Sequence, residues 1–167
     1  DIFGSRGLGD VYKRQTLFRP ILTYRPATNV DAPYPLLIFQ MGAYLLGDTH
    51  LDWHDYDLYL QHLASYGYVV VMIDHNPLGT PFSPYFDQTM SHIDQEMAIS
   101  GTWMNEYIDT SRVAVGGHSF GGVVASQYVS TNPERIDAVI YFASYPFIAP
   151  VVGQNVGTFT GKLLTIA

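Results

Sequence analysis

Short, continuous apolar runs recur along this 167-residue chain, with polar or glycine- and proline-rich segments between them. Such runs lack the alternation of a half-exposed strand and are typical of strands buried on both faces of a sheet. A mixed apolar and aromatic segment at 16–25 predicts an edge strand. The continuous runs predict buried strands at 36–39 and 112–116 (after a turn at 109–111), and further strands at 68–73, 136–142 and 162–166.

Helical spacing of apolar residues occurs between several of these strands. The 3.6-residue period predicts a helix over 52–66, ended by Gly67, whose apolar face comprises Trp53, Tyr56, Leu60 and Leu63. Further helices are predicted over 88–107 and 120–131. Strands that alternate with helices predict an α/β fold, a three-layer sandwich in which helices cover both faces of a mostly parallel sheet.

The amino-acid composition excludes several classes of function and site. With 47% hydrophobic and 14% charged residues the chain is globular, and its length suits a single domain. A net charge of −7 without a run of Lys or Arg gives no reason to expect a nucleic-acid partner. The absence of Cys excludes disulfides, thiolate metal sites and a Cys nucleophile. No apolar run approaches the roughly 18 residues of a transmembrane helix, so we expect no membrane span.

The first fifteen residues stand apart from the rest. Residues 5–15 (SRGLGDVYKRQ) resemble the translation of a transposase-type sequencing adapter. Such a scar is excluded from reasoning about the fold. We therefore expect a non-native segment over 1–15 and a partial domain over 16–167 whose true N-terminus is missing. For this reason the sequence yields no prediction of localisation, and it yields none of oligomeric state.

The candidate chemistry lies in the G-x-S-x-G motif Gly117-His118-Ser119-Phe120-Gly121. The motif is weak alone, but a predicted strand enters it and a predicted helix leaves it, which would place Ser119 on a sharp strand-to-helix turn. That turn requires a strained backbone at Ser119 and leaves no room for side chains at Gly117 and Gly121. Gly122 would let the helix pack near the sheet. The alternative is a glycine-rich turn in which Ser119 caps the helix.

With this motif the chain resembles the α/β-hydrolase superfamily. Within it, the chain looks most similar to the branch of dienelactone-hydrolase-like enzymes, polyester hydrolases and platelet-activating-factor-acetylhydrolase-like enzymes. The likeness covers most of 36–142 and rests on three segments. Residues 35–42 (PLLIFQMG) resemble the strand and oxyanion loop, 62–75 (HLASYGYVVVMIDH) the helix and strand that follow, and 112–122 (RVAVGGHSFGG) the nucleophile elbow.

The resemblance implies that Ser119 is a nucleophile and that two backbone N–H groups form an oxyanion hole. One group would belong to Phe120, after the nucleophile, and the other to Ala43, after the earlier strand. Relatives often carry His-Gly or Pro-Gly in that loop, whereas this chain has Met41-Gly42. A dienelactone hydrolase proper uses Cys as its nucleophile, so Ser119 favours oxyester hydrolysis instead.

The partners of the nucleophile are missing. The family order is Ser, then an acid, then His, yet no His follows Ser119. The acids after it, Glu134 and Asp137, precede a predicted strand and so lie at the wrong end of that strand for the site. Residues 161–167 resemble the strand whose following loop carries the family's acid. We therefore expect a C-terminally truncated fragment that is less active than the complete enzyme by about 10⁴-fold or more.

Four further residues are candidates for the substrate cleft. Tyr44, Phe120 and Tyr145 could form its apolar walls, although aromatic side chains more often serve core packing. His75 follows a predicted strand on the side of the sheet where Ser119 lies. There it could contact substrate or simply form a loop hydrogen bond.

The pattern formed by His50, Asp52, His54 and Asp55 has the spacing of metal ligands. A metal site needs ligands that converge in a fixed geometry with supporting hydrogen bonds. The pattern falls at a predicted helix start, where Asp is favoured in any case. We expect no metal site and no cofactor.

The leading hypothesis is a carboxylic-ester hydrolase that acts through an acyl-enzyme on Ser119. The span 143–161 is too short for a helical lid, which favours an open cleft for small-molecule esters of short or medium chain, or for polymeric esters. The same machinery also suits acyl transfer, lactone hydrolysis or amide hydrolysis. A different class, a non-catalytic binding protein with the α/β-hydrolase fold, stays open.

Overall fold

Seven strands form one sheet in the computed structural model, which describes residues 10–16, 19–27, 31–43, 54–73, 84–144 and 160–166. The strands are β1 (Asp10–Thr16), β2 (Arg19–Arg25), β3 (Tyr34–Gln40), β4 (Val69–Ile73), β5 (Ile108–His118), β6 (Ala138–Phe142) and β7 (Lys162–Ile166). The helices are α1 (His54–Ser65), α2 (Pro84–Met97), α3 (Trp103–Tyr107) and α4 (Phe120–Thr131), and a 3-10 turn follows at Pro133–Arg135.

The sheet has the strand order β1-β2-β4-β3-β5-β6-β7. From β4 onward in this order all neighbours pair in parallel, whereas β2 pairs antiparallel with both β1 and β4. The register places Gln40 opposite Gly117 and His118 opposite Phe142. Because parallel strands end at the same edge, the residues that follow β3, β5 and β6 gather there, at the edge where such folds bind ligands.

Two apolar cores, one on each face of the sheet, account for the continuous apolar runs. In β3, Leu36 and Ile38 belong to one core, while Leu37 and Phe39 belong to the other. Helix α1 packs on the second core, and α2 and α4 pack on the first. The predicted three-layer α/β sandwich with a mostly parallel sheet is therefore confirmed. None of the helices in the described ranges is long and apolar enough to span a membrane.

The helix predicted over 88–107 is wrong in its bounds. Helix α2 begins before residue 88, and α3 is a separate short helix. Between them Gly101 adopts φ +80°, and the Thr102 hydroxyl caps α3 by accepting a hydrogen bond from the Asn105 N–H at 3.2 Å. Helix α2 ends at Met97. Glycine takes the left-handed conformation in the following turn without a Cβ clash, and a new helix starts after the Thr102 cap.

Two strand predictions also need correction. The sequence predicts a turn at 109–111, but β5 already begins at Ile108. The neighbouring β3 pairs Pro35 with Asp109 and Leu36 with Val113, so residues 110–112 have no partner in β3 and form an irregularity in the strand. Segment 16–25 is not an edge strand, because β1 pairs along the outer side of β2. Strand β1 overlaps the segment 1–15 that the sequence predicts to be non-native. Residues of either origin can form a strand, so the non-native origin of this segment stays a prediction.

Candidate active site

Ser119 lies at the junction between β5 and α4, as the motif predicts. Its backbone has φ 50° and ψ −121°, and a positive φ of this kind is uncommon for a residue other than glycine. The side chain is exposed and makes no capping hydrogen bond to the first turn of α4. The predicted strain at Ser119 is therefore confirmed, and the alternative in which its side chain caps the helix is wrong, although the residue occupies the N-cap position of α4.

Two glycines, Gly117 and Gly122, make the tight junction possible. A Cβ atom on Gly117 would lie 2.6 Å from the carbonyl oxygen of Gly121. A Cβ atom on Gly122 would lie 2.6 Å from the Cβ of Ser144, on the strand side of the junction. Real Cβ atoms do not approach other heavy atoms so closely. The steric prediction for these positions is confirmed: a side chain at Gly117 would collide with the start of α4, and Gly122 lets α4 pack against the sheet.

Hydrogen bonds from the end of β6 hold the junction in place. The Ser119 N–H donates to the Phe142 carbonyl oxygen at 2.9 Å. The Ser144 hydroxyl donates to the Ser119 carbonyl oxygen at 2.6 Å. Ala143, between these two residues of the β6 end, has φ 42°, and this sharp turn brings Ser144 to the elbow. Since the Ser144 side chain is buried, the elbow is braced by the neighbouring strand.

Helix α4 is tied to β6 one turn further along. The Ser126 hydroxyl donates to the Gly122 carbonyl oxygen at 2.9 Å and lies 2.7 Å from the Tyr141 hydroxyl. Because Ser126 has one hydroxyl proton, we assign Tyr141 as the donor of the second bond. Burial raises the pKa of Tyr141, which keeps its hydroxyl protonated for this role. The helix that carries the elbow is therefore fixed at two successive turns.

The loop that follows β3 passes directly beside the first turn of α4. A Cβ atom on Gly121 would collide with the carbonyl oxygens of Gln40 and Met41, so the main chains of the two segments are in contact. These segments carry the two predicted oxyanion donors, because Ala43 lies in the loop and Phe120 begins α4. An oxyanion hole requires that its donors come from adjacent segments. The structure brings these segments together, and the roles of Phe120 and Ala43 stay predictions.

A contact that sequence reasoning missed lies at the same edge of the sheet. The hydroxyl oxygen of Tyr56, on α1, lies 2.9 Å from Nδ1 of His118 and accepts a hydrogen bond from the Gly42 N–H at 3.0 Å. Burial is the main cause that raises the pKa of Tyr56, and burial also lowers the pKa of His118. Both shifts favour uncharged side chains. The linear sequence carries no signal for this pairing, because Tyr56 has the helical spacing of a core residue.

Aromatic rings pack around that hydroxyl on the α1 side of the sheet. The ring of Phe39 lies 5.6 Å from the ring of Tyr56 and 5.6 Å from that of Phe142, measured between centroids. Tyr59 packs edge-on against Phe142 at 4.7 Å. Tilted and edge-to-face pairs contribute on the order of 1 kcal/mol each beyond their burial. The elbow therefore lies next to a packed aromatic layer.

Comparisons with known proteins agree with this geometry. A sequence model described as the alpha/beta hydrolase family matches residues 36–166, which contain most of β3, the strands from β4 to β7 and the elbow. The chain belongs to the alpha/beta hydrolase family. It is also similar to a protein named chlorophyllase type 0 from Chenopodium album, with 26% identity over 175 residues that cover 91% of this chain and 48% of that protein. This alpha/beta hydrolase chain thus spans about half the length of the curated relative it matches.

The two acids that follow Ser119 lie away from the elbow in this alpha/beta hydrolase. Asp137 immediately precedes β6, and its carboxylate accepts a hydrogen bond from the Val113 N–H at 2.8 Å. Its own N–H donates to the Val113 carbonyl oxygen at 2.7 Å. Glu134 lies in the 3-10 turn before it. Both acids are at the amino end of β6, the end opposite to Ser119, as the sequence predicts.

Several predicted site residues lie outside the residues that the structure describes. These are the candidate cleft residues Tyr44, Tyr145 and His75, and two members of the metal-like pattern, His50 and Asp52. The other two members, His54 and Asp55, form the exposed first turn of α1. Within the described ranges, no three His, Cys, Asp or Glu side chains converge as metal ligands would.

Proposed function

We propose that the protein to which this chain belongs is a serine hydrolase of carboxylic esters, with Ser119 as its nucleophile. The observation that carries the proposal is the exposed Ser119 side chain on a turn with φ 50°. A strained residue of this kind costs about 1–3 kcal/mol, and such residues cluster at functional sites. The bracing of the turn by Ser144 and the close glycine contacts support the same reading, because they hold the strained conformation in place.

The proposed reaction follows acyl transfer chemistry. The Ser119 oxygen attacks the ester carbonyl carbon while a His base takes the hydroxyl proton. The N–H groups of Phe120 and Ala43 donate to the oxyanion that forms, and each such donor is worth about 10²–10³ in rate. Collapse of the intermediate expels the alcohol, which takes the proton from His. Water then attacks the acyl-enzyme by the same steps and releases the carboxylic acid.

The base and its orienting acid are proposed to lie in a part of the protein that this chain does not include. No His follows Ser119 in the sequence, and the adjacent His118 engages the Tyr56 hydroxyl through Nδ1. The acids Glu134 and Asp137 are at the far end of β6. The match covers 48% of the curated relative, so a whole protein of similar length has room for both groups.

The substrate class is proposed from the nucleophile and from the short connection after β6. Ser in place of Cys favours oxyesters, and the span 143–161 favours an open cleft for short-chain, medium-chain or polymeric esters. The likeness of residues 35–42, 62–75 and 112–122 supports the proposal that the protein belongs to the branch of dienelactone-hydrolase-like enzymes, polyester hydrolases and platelet-activating-factor-acetylhydrolase-like enzymes. The similarity to a protein named chlorophyllase supports an enzyme of this general kind. Lactones, amides and acyl acceptors other than water are the competing reactions.

The test compares the whole protein, its Ser119→Ala variant and the present chain on p-nitrophenyl esters of increasing acyl length. We expect turnover by the whole protein and a loss of about 10⁴-fold or more in Ser119→Ala. We expect negligible turnover by the chain alone. The variant Ser65→Ala, at the C-terminal end of α1, is the matched control and should keep full activity.

Each unexpected result has a distinct meaning. Turnover that survives Ser119→Ala would contradict the nucleophile. Ester binding by the whole protein without turnover would favour a non-catalytic binding protein of this fold. Robust turnover by the chain alone, abolished by Ser119→Ala, would contradict the proposal that the base lies outside the chain.

A further inference from the structure

The hydroxyl of Tyr56 joins three separate elements of the fold. Tyr56 belongs to α1, Gly42 to the loop after β3, and His118 to the end of β5, one residue before Ser119. The hydroxyl oxygen accepts from the Gly42 N–H at 3.0 Å and lies 2.9 Å from His118 Nδ1. This bridge spans the edge of the sheet and links the proposed oxyanion loop to the proposed nucleophile turn.

The protons of this bridge are assigned from the hydrogen-bonding capacity of each group. The Gly42 N–H occupies one lone pair of the Tyr56 oxygen, and the single hydroxyl proton is then available for the imidazole. If the hydroxyl donates, His118 Nδ1 must be the unprotonated ring nitrogen and Nε2 must carry the hydrogen. Because burial lowers the pKa of His118 and raises that of Tyr56, both groups stay neutral near pH 7, which this assignment requires.

Close packing leaves the bridge little freedom. A Cβ atom on Gly42 would lie 2.6 Å from His118 Nδ1 and 3.3 Å from the Tyr56 oxygen, so glycine is required where the loop passes this pair. Glycine is also the residue with the widest backbone freedom. A loop that must contain glycine at this point therefore needs an external restraint if the next N–H, that of Ala43, is to point in one direction.

We propose that Tyr56 is a positioning residue for ester hydrolysis, which fixes the Gly42–Ala43 segment relative to His118 so that the oxyanion donors face the carbonyl oxygen of the acyl group that Ser119 attacks. This inference rests on the proposed function, since it assigns a task to Tyr56 only if Ser119 reacts. Tyr56 itself does not touch the reacting atoms in this account. Tyr56 is part of α1, and its ring packs against the ring of Phe39 with the two centroids 5.6 Å apart. These restraints fix the position of the hydroxyl.

The alternative is that Tyr56 is only a core aromatic residue. Tyr56→Phe separates the two, because it keeps the ring and its packing and removes the oxygen that serves Gly42 and His118. Tyr59→Phe is the matched control: Tyr59 lies on the same helix and packs edge-on against Phe142 at 4.7 Å in the same aromatic layer. Both variants lose one hydroxyl from α1, but only Tyr56 contacts the loop and the elbow residue.

The kinetic test uses the whole protein and a p-nitrophenyl ester. Misplacement of a catalytic group slows the chemical step without weakening the binding of substrate. Tyr56→Phe should therefore lower kcat by about 10- to 100-fold and change KM by less than about 2-fold. Inhibition by a trifluoromethyl ketone, which forms an oxyanion on the nucleophile, should weaken in parallel with kcat/KM. Tyr59→Phe should leave all three quantities close to those of the wild type.

A second readout is independent of catalysis and uses the chain itself. In ¹⁵N histidine spectra, His118 should show the tautomer with its hydrogen on Nε2, and Tyr56→Phe should shift it toward a mixture of tautomers. The inference is overturned if Tyr56→Phe retains wild-type kcat, if it acts on KM alone, or if its effect equals that of Tyr59→Phe. Failure of the proposed function looks different, because ester turnover would then survive Ser119→Ala, or the whole protein would bind the ester without turnover.

Discussion

The hydroxyl of Ser144 lies 2.6 Å from the main-chain carbonyl oxygen of Ser119, to which it donates a hydrogen bond. The same carbonyl oxygen also accepts from the Gly122 N–H at 3.1 Å, so Ser144→Ala leaves it one remaining partner. We expect the free energy of unfolding of the chain to fall by about 1 kcal/mol, as measured by urea titration with circular dichroism. Ser65→Ala, whose hydroxyl bonds to the His62 carbonyl within its own helix, should change it by less than about 0.5 kcal/mol. Equal effects of the two variants would contradict the bracing of the elbow by β6.

Gly117 faces the main chain of α4. A methyl group at this position would meet backbone atoms, which cannot move aside as the end of a flexible side chain can. Because a Cβ would lie 2.6 Å from the Gly121 carbonyl oxygen, Gly117→Ala should destabilise the chain by more than about 3 kcal/mol. Gly101→Ala is the comparison, since its Cβ would have nothing within 4 Å and only the backbone at φ +80° is strained. It should cost about 1 kcal/mol. Thermal or urea unfolding of both variants measures the difference, and a Gly117→Ala protein as stable as Gly101→Ala would refute the close contact.

Asp109 is a carboxylate whose ionised form is favoured by its neighbours. The Ser111 hydroxyl and the Arg112 side chain, each donating to it at 2.6 Å, hold the pKa of Asp109 below its ordinary value of 3.8, with Ser111 the larger cause. A lowered pKa in the folded state means that the stabilisation is present above pH 3.8 and is lost as the pH falls through the folded-state pKa. Asp109→Asn should therefore be less stable than the wild type at neutral pH, and the gap should close on acidification below this range.

The cause can be tested at the same carboxylate. Ser111→Ala removes the largest contribution and should move the Asp109 pKa upward, toward its ordinary value. A titration of the side-chain carboxyl carbon by NMR measures this shift directly. An unchanged pKa in Ser111→Ala would show that the hydrogen bond is not its cause.

Asp137 is interpreted as a structural residue, although it is one of two acids that follow Ser119. Its carboxylate satisfies the Val113 N–H at 2.8 Å at the amino end of the sheet. Asp137→Ala should therefore lower the free energy of unfolding by about 1–3 kcal/mol, because it leaves that partly buried donor without its acceptor. In the whole protein, kcat/KM per folded molecule should stay within about 3-fold of wild type. A loss of several orders of magnitude in kcat in Asp137→Asn, which keeps an acceptor oxygen, would make this residue a catalytic acid after all.

The layered arrangement of the fold was predictable because one property of the sequence, a continuous apolar run, marks a buried strand. The run 69–73, for example, is apolar and buried at every position, as expected for a strand in a sheet covered on both faces. The boundaries were less predictable. The apolar periodicity of 88–107 continues past Met97 although α2 ends there. The turn that follows, with its left-handed Gly101, and the Thr102 cap change the direction of the chain without interrupting the apolar pattern.

The site was predictable only where its parts are local in sequence. The motif around Ser119 carries its own strand, glycines and helix, so its strained turn follows from neighbouring residues. The contacts that hold the turn come from elsewhere: Ser144 is 25 residues away and Tyr56 is 62 residues from His118. Neither residue has a distinctive motif, since Tyr56 has the spacing of a core residue in a helix. These partners emerge only once the strand order places the ends of β3, β5 and β6 side by side.

The most direct test of the central claim is covalent labelling of the whole protein with a fluorophosphonate, followed by peptide mass spectrometry. Only a serine activated by a base reacts readily with this reagent, and reaction marks the nucleophile itself. The account predicts one adduct, on the peptide that contains Ser119, with parallel loss of ester turnover and no labelling of Ser119→Ala. An adduct on another residue, or full labelling and turnover in Ser119→Ala, would contradict it.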